Sequence, residues 1–187
     1  MKSILITGGA RSGKSTLAQE LGKKVAGQVL FVATAEAGDP EMTRRISAHK
    51  KSRPSGWKTL EVQTHIGNRI IKGLGGAQTV IIDDITLLVM NVFTACGEAS
   101  DAEVLEKAVT SEIEELIACL DKCHVDFVIV TNEVGLGIIP ANIVSRQYRD
   151  LLGKANRMLA ARVDEVYFMV AGIPMVVKKP KSKNFES

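Results

Sequence analysis

An eight-residue segment near the start of the chain limits its possible folds more than any other feature. It fits the pattern G-x-x-x-x-G-K-[ST] without a mismatch and lies between an apolar run and a helical pattern. In that context the glycines let the backbone wrap tightly, so that successive N–H groups point at phosphate oxygens. The alternative is a glycine-rich turn that contains a lysine by chance, and the position between a strand and a helix argues against it. The segment consists of Gly8, Gly9, Ala10, Arg11, Ser12, Gly13, Lys14 and Ser15.

This segment predicts a binding site for a nucleoside triphosphate. The positive end of the following helix attracts the phosphates. Lys14 is expected to reach the β- and γ-phosphates, and the Ser15 hydroxyl is expected to bind Mg²⁺.

Outside this segment, short β-rich apolar runs alternate with segments of helical period, which is typical of βαβ units and a parallel sheet. Strands are predicted at 3–7, 29–33, 59–62, 79–83 and 127–131. Helices are predicted at 15–26, 40–51 with Asp39 as N-cap, 65–72, 101–121 and 142–163. Runs at 165–170 and 175–177 flank Gly172-Ile173-Pro174 and predict a closing hairpin. The expected fold class is α/β, a P-loop NTPase-like three-layer fold with a mostly parallel sheet and a C-terminal antiparallel hairpin.

Length and composition indicate one globular domain. The chain has 187 residues, of which 45% are hydrophobic and 24% charged, close to the averages for globular proteins. We expect a catalytic domain at 1–178 and a basic, disordered tail at 179–187. A net charge of +3 and an aromatic content of 4% argue against a nucleic-acid partner.

The sequence also argues against membrane insertion. The most apolar stretch, around residues 80–92, is interrupted by Asp83 and Asp84. The N-terminus has no signal-peptide pattern, and the chain has an odd number of cysteines, three. Together these features predict reduced thiols and a cytoplasmic location.

A second acid for the phosphate site is expected at the end of a buried strand beside the first. Residues 80–84 read Val-Ile-Ile-Asp-Asp and supply two candidates. We favour Asp83 as the Mg²⁺ ligand, held directly or through water, with Asp84 facing the other way along the strand. Asp84 is then interpreted as the N-cap of a helix that begins at Ile85.

The segment 44–53 carries five basic side chains together with His49, and the chain's one tryptophan follows at Trp57. An exposed, charged helix face with a structural histidine would account for this composition. In a phosphate-handling protein, however, a neutral imidazole is a competent nucleophile toward phosphorus. We expect the surrounding cations to lower the pKa of His49 and to stabilise an anionic transition state.

Four motifs occur in a fixed order along the chain. They are G-G-A-R-S-G-K-S at 8–15, R-I-x-x-H-K-x-x-R-P-x-x-W-x-T-x-E at 45–61, T-N-E-V-G-x-G-I-x-P at 131–140 and S-R-x-x-R-D-x-x-G-x-x-N at 145–156. In this order and spacing they resemble the bifunctional adenosylcobinamide kinase/adenosylcobinamide-phosphate guanylyltransferases of cobalamin biosynthesis. The resemblance covers roughly residues 2–178. A P-loop alone would be unspecific, but the combination is specific.

The resemblance implies two reactions. ATP or GTP phosphorylates the aminopropanol hydroxyl of adenosylcobinamide; GTP then guanylylates a histidine, and GMP passes to adenosylcobinamide phosphate to give adenosylcobinamide-GDP. The nucleophilic histidine falls on His49, with Lys14 as the other catalytic residue. The resemblance also implies a homotrimeric assembly, while the Mg²⁺ ligands stay those expected from the P-loop and the strand end, Ser15 and Asp83. Beyond the P-loop, the implied nucleotide contacts are Ala33, Thr34, Ala35, Lys50, Lys51, Ser52, Arg53, Glu61 and Asp83.

Several roles stay open at the level of sequence. Glu61 is either a contact to guanine or ribose or an exposed strand acid. Asn132 and Glu133 follow a strand's carboxyl end, where open α/β sheets bind ligands, but no role can be assigned to either. His65 and His124 are expected at surface or helix-end positions. A further face, which either binds phosphate or contacts a neighbouring subunit, comprises Arg146, Arg149, Gly153 and Asn156.

Two alternative functions are compatible with the P-loop. One is a small-molecule kinase without the guanylyltransferase step, in which His49 is structural. The other is a nucleotide-dependent switch, which is disfavoured because no N-K-x-D guanine-specificity sequence is present.

Overall fold

The computed structural model describes residues 1–25, 27–36, 38, 40–97 and 101–180, without the side chains of Met42, Arg45 and Ser52. The predicted N-cap at Asp39, the Ser52 side chain and tail residues 181–187 therefore lie outside the described residues. The elements in chain order are β1 Ser3–Gly8, α1 Lys14–Lys24, β2 Val29–Ala33, α2 Pro40–Ser52, β3 Lys58–Glu61, α3 Ile66–Gly73, β4 Thr79–Asp83, α4 Ile85–Cys96, α5 Ala102–Lys122, β5 Asp126–Val130, α6 Ile143–Arg162, β6 Glu165–Val170 and β7 Ile173–Lys178.

All seven strands form one sheet in the order β3-β2-β4-β5-β1-β6-β7. Neighbouring strands from β3 to β6 are parallel, and β7 pairs antiparallel with β6. The predicted mostly parallel sheet with a closing hairpin is thus confirmed. Because parallel strands point the same way, the segments that follow β1, β2, β4 and β5 all meet at one edge of the sheet.

Apolar side chains cover both faces of the central strands, which is why these strands read as continuous hydrophobic runs. One face, with Leu30 and Ile82 among its residues, packs against the helices α3 to α6. The other face, with Phe31 and Ile81, packs against α1 and Trp57. The sheet is therefore the middle layer of three, as predicted.

The hairpin turn is shorter than predicted, because β7 begins at Ile173, two residues before the predicted start of the strand. Its two central residues are Ala171 and Gly172, with φ of 50° and 84°, which is the left-handed geometry of a tight hairpin turn. Pro174 consequently lies inside β7 rather than in the turn. A proline is tolerated there because β7 is an edge strand.

Helix α4 forms although its sequence lacks the hydrophobic period typical of an amphipathic helix. Its sequence, ITLLVMNVFTAC, is apolar nearly all round, so it carries no clear helical period. The predicted cap is confirmed, because the Asp84 side chain accepts a hydrogen bond from the Leu87 N–H. Within the described ranges, no helix combines the length and the apolarity needed to cross a bilayer.

Helix α3 is held at its start by a side chain from another helix. Glu112 of α5 is 6% exposed, and its two carboxylate oxygens accept the backbone N–H groups of His65 and Ile66 at 2.8 and 2.9 Å. These N–H groups belong to the first turn of α3, where no partner exists within the helix. Glu112 therefore fixes α3 on α5.

Replacing Glu112 with glutamine should lower the free energy of unfolding by about 1–3 kcal/mol, because the amide NH₂ group would face a buried N–H donor. Urea unfolding of the purified variant measures this change. The exposed Glu114→Gln variant on the same helix is the control and should stay within about 0.5 kcal/mol of the unmodified protein. Equal stability of the two variants would show that the contact to α3 contributes nothing.

Candidate active site

The P-loop lies between the end of β1 at Gly8 and the start of α1 at Lys14. Gly8 and Gly13 have φ of 146° and 96°, values that other residues rarely adopt. A Cβ at Gly8 would also lie 2.6 Å from the Met169 carbonyl oxygen. Lys14 is buried, and its Nζ donates to the Gly9 carbonyl at 2.6 Å across the loop. The P-loop backbone thus wraps around the ammonium group of Lys14.

The buried ammonium group of Lys14 is suited to bind a phosphate. Burial lowers its pKa, and the nearby carboxylates of Asp84 and Asp83 partly oppose that shift. An incoming phosphate would supply further negative charge.

Asp83 is the acid that lies beside the P-loop. Its Oδ1 accepts a hydrogen bond from the Ser15 hydroxyl at 3.1 Å. A hydroxyl and a carboxylate are the hard oxygen donors that Mg²⁺ prefers, and this ion usually keeps several waters and phosphate oxygens as its other ligands. The pair therefore suits Mg²⁺, and within the described residues no group of three His, Cys, Asp or Glu side chains forms an alternative metal site.

Asp84 is built into the floor of the site. Its Oδ2 accepts from Asn132 Nδ2 at 3.1 Å, while its backbone N–H and carbonyl both bind the Thr34 hydroxyl, at 2.9 and 2.7 Å. Burial and the charge of Asp83 raise the pKa of Asp84 to about 6. The network joins the ends of β2, β4 and β5 into one rigid floor.

His49 lies near the carboxyl end of α2 and faces the same edge of the sheet. Its Nδ1 is 3.5 Å from Asp83 Oδ2, and 46% of its side chain is exposed. The expected lowering of its pKa was wrong. The Asp83 carboxylate raises the pKa of His49, and this effect outweighs burial and the Arg53 charge, which lower it. The hydrogen bond to Asp83 has the largest effect on the ring, larger than the opposing effect of the Arg53 charge.

The basic residues after His49 have specific partners. Lys50 Nζ forms an ion pair with Glu61 Oε1 at 2.5 Å. Arg53 lies with its guanidinium carbon 3.9 Å from the centre of the Phe31 ring, which stacks in turn on Trp57. Burial lowers the pKa of Arg53 despite the charges of Asp83 and Glu61. Arg53 is therefore packed against β2, whereas the side chains of Arg44, Lys50 and Lys51 are exposed on α2.

Two cavities meet at His49. The larger, of about 790 Å³, is lined by Ala10, Arg11, Ser12, Gly13, Lys14, Ser15, Thr16, Ala48, His49, Asp84, Thr86, Asn132, Glu133 and Val134. The smaller, of about 380 Å³, is lined by Ser15, Ala33, Ala35, Glu36, Ile46, His49, Lys50, Arg53, Glu61, Gln63, Asp83, Asp84, Thr86, Leu87 and Asn132. His49 and Ser15 belong to both walls, so one ligand could extend from the P-loop past the imidazole.

Most of the predicted site residues whose side chains are described are brought together in these walls, and four are not. Gly8 and Gly9 shape the P-loop without lining either cavity, and Thr34 is buried beneath Asp84. Lys51 is exposed on α2. Thr86, by contrast, was missed, although its position in the first turn of the helix capped by Asp84 could have indicated it.

The loop after β5 closes the larger cavity. Asn132 donates to the Thr86 hydroxyl through its backbone N–H at 2.9 Å and through Nδ2 at 2.8 Å. Asn156 of α6 accepts from the Thr131 hydroxyl at 2.6 Å and donates to the Asn132 carbonyl at 3.0 Å. Asn156 thus holds this loop in place.

The other residues predicted on the Asn156 face lie away from the cavities. Arg146 donates to the Pro140 and Ala141 carbonyls, and Arg149 pairs with Asp150. Neither arginine lines a cavity wall. His65 and His124 are exposed at the start of α3 and just after α5, in agreement with the predicted helix-end positions.

Comparison with known proteins shows which family the chain belongs to. Residues 4–177 match the family described as cobinamide kinase/cobinamide phosphate guanyltransferase. The chain is 42% identical to the bifunctional adenosylcobalamin biosynthesis protein CobU of Salmonella typhimurium and 38% identical to CobU of Escherichia coli K12. Each alignment covers 94% of this chain and 99% of the relative.

Among solved structures, the ATPase EscN of the enteropathogenic E. coli type III secretion system aligns with a TM-score of 0.54 at 12% identity. The alignment covers 91% of this chain and 43% of EscN, and it shows a shared P-loop NTPase fold only. The full-length sequence match is what decides the relationship: this chain belongs to the cobinamide kinase/cobinamide phosphate guanyltransferase family.

Proposed function

We propose that this protein phosphorylates the aminopropanol hydroxyl of adenosylcobinamide with ATP or GTP and then transfers GMP from GTP to the resulting phosphate. The product is adenosylcobinamide-GDP, and a guanylyl group on His49 is the covalent intermediate. The observation that carries this proposal is the position of His49, which forms a common wall of the P-loop cavity and the cavity beside Arg53.

In the nucleotide complex, the P-loop N–H groups and Lys14 hold the β- and γ-phosphates. Ser15 and Asp83 would hold Mg²⁺, which supplies charge neutralisation for the phosphates. The nucleoside occupies the smaller cavity, where Arg53, Lys50 and Glu61 offer hydrogen-bonding groups. This placement puts the α-phosphate next to His49.

The guanylyl step uses His49 as the nucleophile. With Nδ1 protonated and directed at Asp83, the lone pair is on Nε2. Nε2 attacks the α-phosphorus of GTP, an N–P bond forms, and the bond to the β-phosphate oxygen breaks to release pyrophosphate. A phosphate oxygen of adenosylcobinamide phosphate then attacks the same phosphorus, and the N–P bond breaks. Two displacements on a covalent intermediate replace one difficult transfer.

The proposal includes a catalytic unit that spans residues 1–178, a cytoplasmic location and a homotrimer. The odd number of cysteines supports the reducing compartment. The family resemblance supports the trimer and the length of the catalytic unit.

Intact-mass measurement after incubation with GTP and Mg²⁺ tests the proposal. We expect a gain of one GMP unit, and a parallel incubation with cobinamide and each nucleotide should yield phosphorylated cobinamide. Phosphorylation without an adduct would favour a plain small-molecule kinase. The absence of both the adduct and the phosphorylation would favour a nucleotide-dependent switch.

The adduct should be released by mild acid and should survive alkali. A phosphoramidate on imidazole becomes labile when its nitrogen is protonated, whereas a phosphoester on serine or threonine withstands mild acid. The measurement is intact mass after each treatment, with untreated adduct as the control. A GMP adduct that resists acid would exclude His49 as the attachment point.

A further inference from the structure

A carboxylate without an assigned role lies in the larger cavity. Glu133 follows β5 and lines the cavity together with Lys14 and His49. We propose that Glu133 is the general base of the phosphorylation half-reaction, accepting the proton of the acceptor hydroxyl as its oxygen attacks the γ-phosphorus. This inference rests on the proposed function and assigns one of its two chemical steps to a further residue.

The backbone holds Glu133 against the P-loop. Its N–H donates to the Gly8 carbonyl at 3.1 Å, and the preceding residue, Asn132, is tied to Thr86 and Asn156. Gly8 opens the phosphate-binding loop, so this hydrogen bond couples the position of Glu133 to that of the bound phosphates. A base must be placed within hydrogen-bond reach of the attacking oxygen before its basicity matters.

Glu133 has a carboxylate oxygen without a hydrogen-bond donor, whereas Asp84, the other acid that lines the larger cavity, has none. Glu133 Oε1 accepts the Gly135 N–H, whereas no donor in the described part of the chain contacts its Oε2. Both Asp84 oxygens accept hydrogen bonds, from Leu87 and Asn132. Asp83 contacts Ser15 and His49, and it lines the smaller cavity.

The two half-reactions differ in their need for a base. In phosphorylation the acceptor is a neutral hydroxyl. Its oxygen bonds to the γ-phosphorus while the bond from that phosphorus to the β-phosphate oxygen breaks and the nucleoside diphosphate leaves. The hydroxyl proton passes to Glu133. In guanylyl transfer the acceptor is already a phosphate anion, and the nucleophile that forms the adduct is an imidazole. Only phosphorylation therefore requires a carboxylate at this position.

The test is Glu133→Gln in the full-length protein, with Glu20→Gln on the exposed face of α1 as the matched loss of a carboxylate. Glutamine keeps an oxygen for the Gly135 N–H but cannot take a proton. We expect phosphorylation of cobinamide to fall about 10²-fold. The same variant should keep GMP labelling from GTP, and GMP transfer to separately prepared cobinamide phosphate, within about twofold of the unmodified protein. The Glu20→Gln control should keep phosphorylation and GMP transfer within the same range.

Each other outcome contradicts the proposal in a distinct way. Unchanged phosphorylation by Glu133→Gln would exclude Glu133 as the base. An equal loss of phosphorylation and GMP labelling would make it a structural or nucleotide-binding residue, and recovery of both by Glu133→Asp would confirm that reading. If the unmodified protein phosphorylates no cobinamide, the proposed function fails independently of Glu133.

Discussion

Replacing His49 with alanine is expected to abolish GMP labelling and GMP transfer while phosphorylation of cobinamide remains measurable. The substitution removes the imidazole and leaves the P-loop, Ser15 and Asp83 in place. Phosphorylation needs a positioned γ-phosphate and charge stabilisation, with no covalent enzyme intermediate. Guanylylation needs a nucleophile at the α-phosphorus. Intact mass after GTP treatment and a coupled cobinamide assay measure the two activities separately.

The other two histidines of the chain are the controls for this experiment. The His65 ring lies 3.3 Å from Glu115 on the surface, and His124 is exposed just beyond α5. His65→Ala and His124→Ala should retain both activities. A His49→Ala protein that still acquires GMP, or a control variant that fails to, would overturn the assignment of the nucleophile. Loss of phosphorylation in His49→Ala would instead make His49 a candidate for the base that we assign to Glu133.

Replacing Lys14 with alanine should lower both activities, on the order of 10²-fold or more in rate. Lys14 is the buried cation of the P-loop, and both reactions need the triphosphate that this loop holds. The same two assays measure the effect.

Lys24→Ala, at the exposed end of the same helix, is the matched control and should leave both rates near those of the unmodified protein. Wild-type rates for Lys14→Ala in both assays would place the triphosphate elsewhere. A loss confined to one assay would mean that the two reactions hold their nucleotides differently.

Structure that depends only on neighbours along the chain could be predicted from the sequence. Strands β2 and β4 have the predicted bounds because each is a continuous apolar run that ends abruptly. The P-loop is equally local, since one short segment contains its glycines, its lysine and its hydroxyl. The cap at Asp84 also follows from a single residue at the end of an apolar strand.

Interactions between residues that are distant along the chain could not be predicted in this way and became visible in the three-dimensional arrangement of the strands. Adjacent parallel strands β2 and β4 bring the segment after β2 to Asp83, and that contact reverses the expected direction of the His49 pKa shift. The placement of Glu133 against Gly8 likewise depends on β5 lying beside β1 in the sheet. Local patterns report which residues share a strand or a helix face, but a hydrogen bond or a Coulomb interaction depends on distances in space. Strand order sets those distances, and no periodicity in the sequence encodes it.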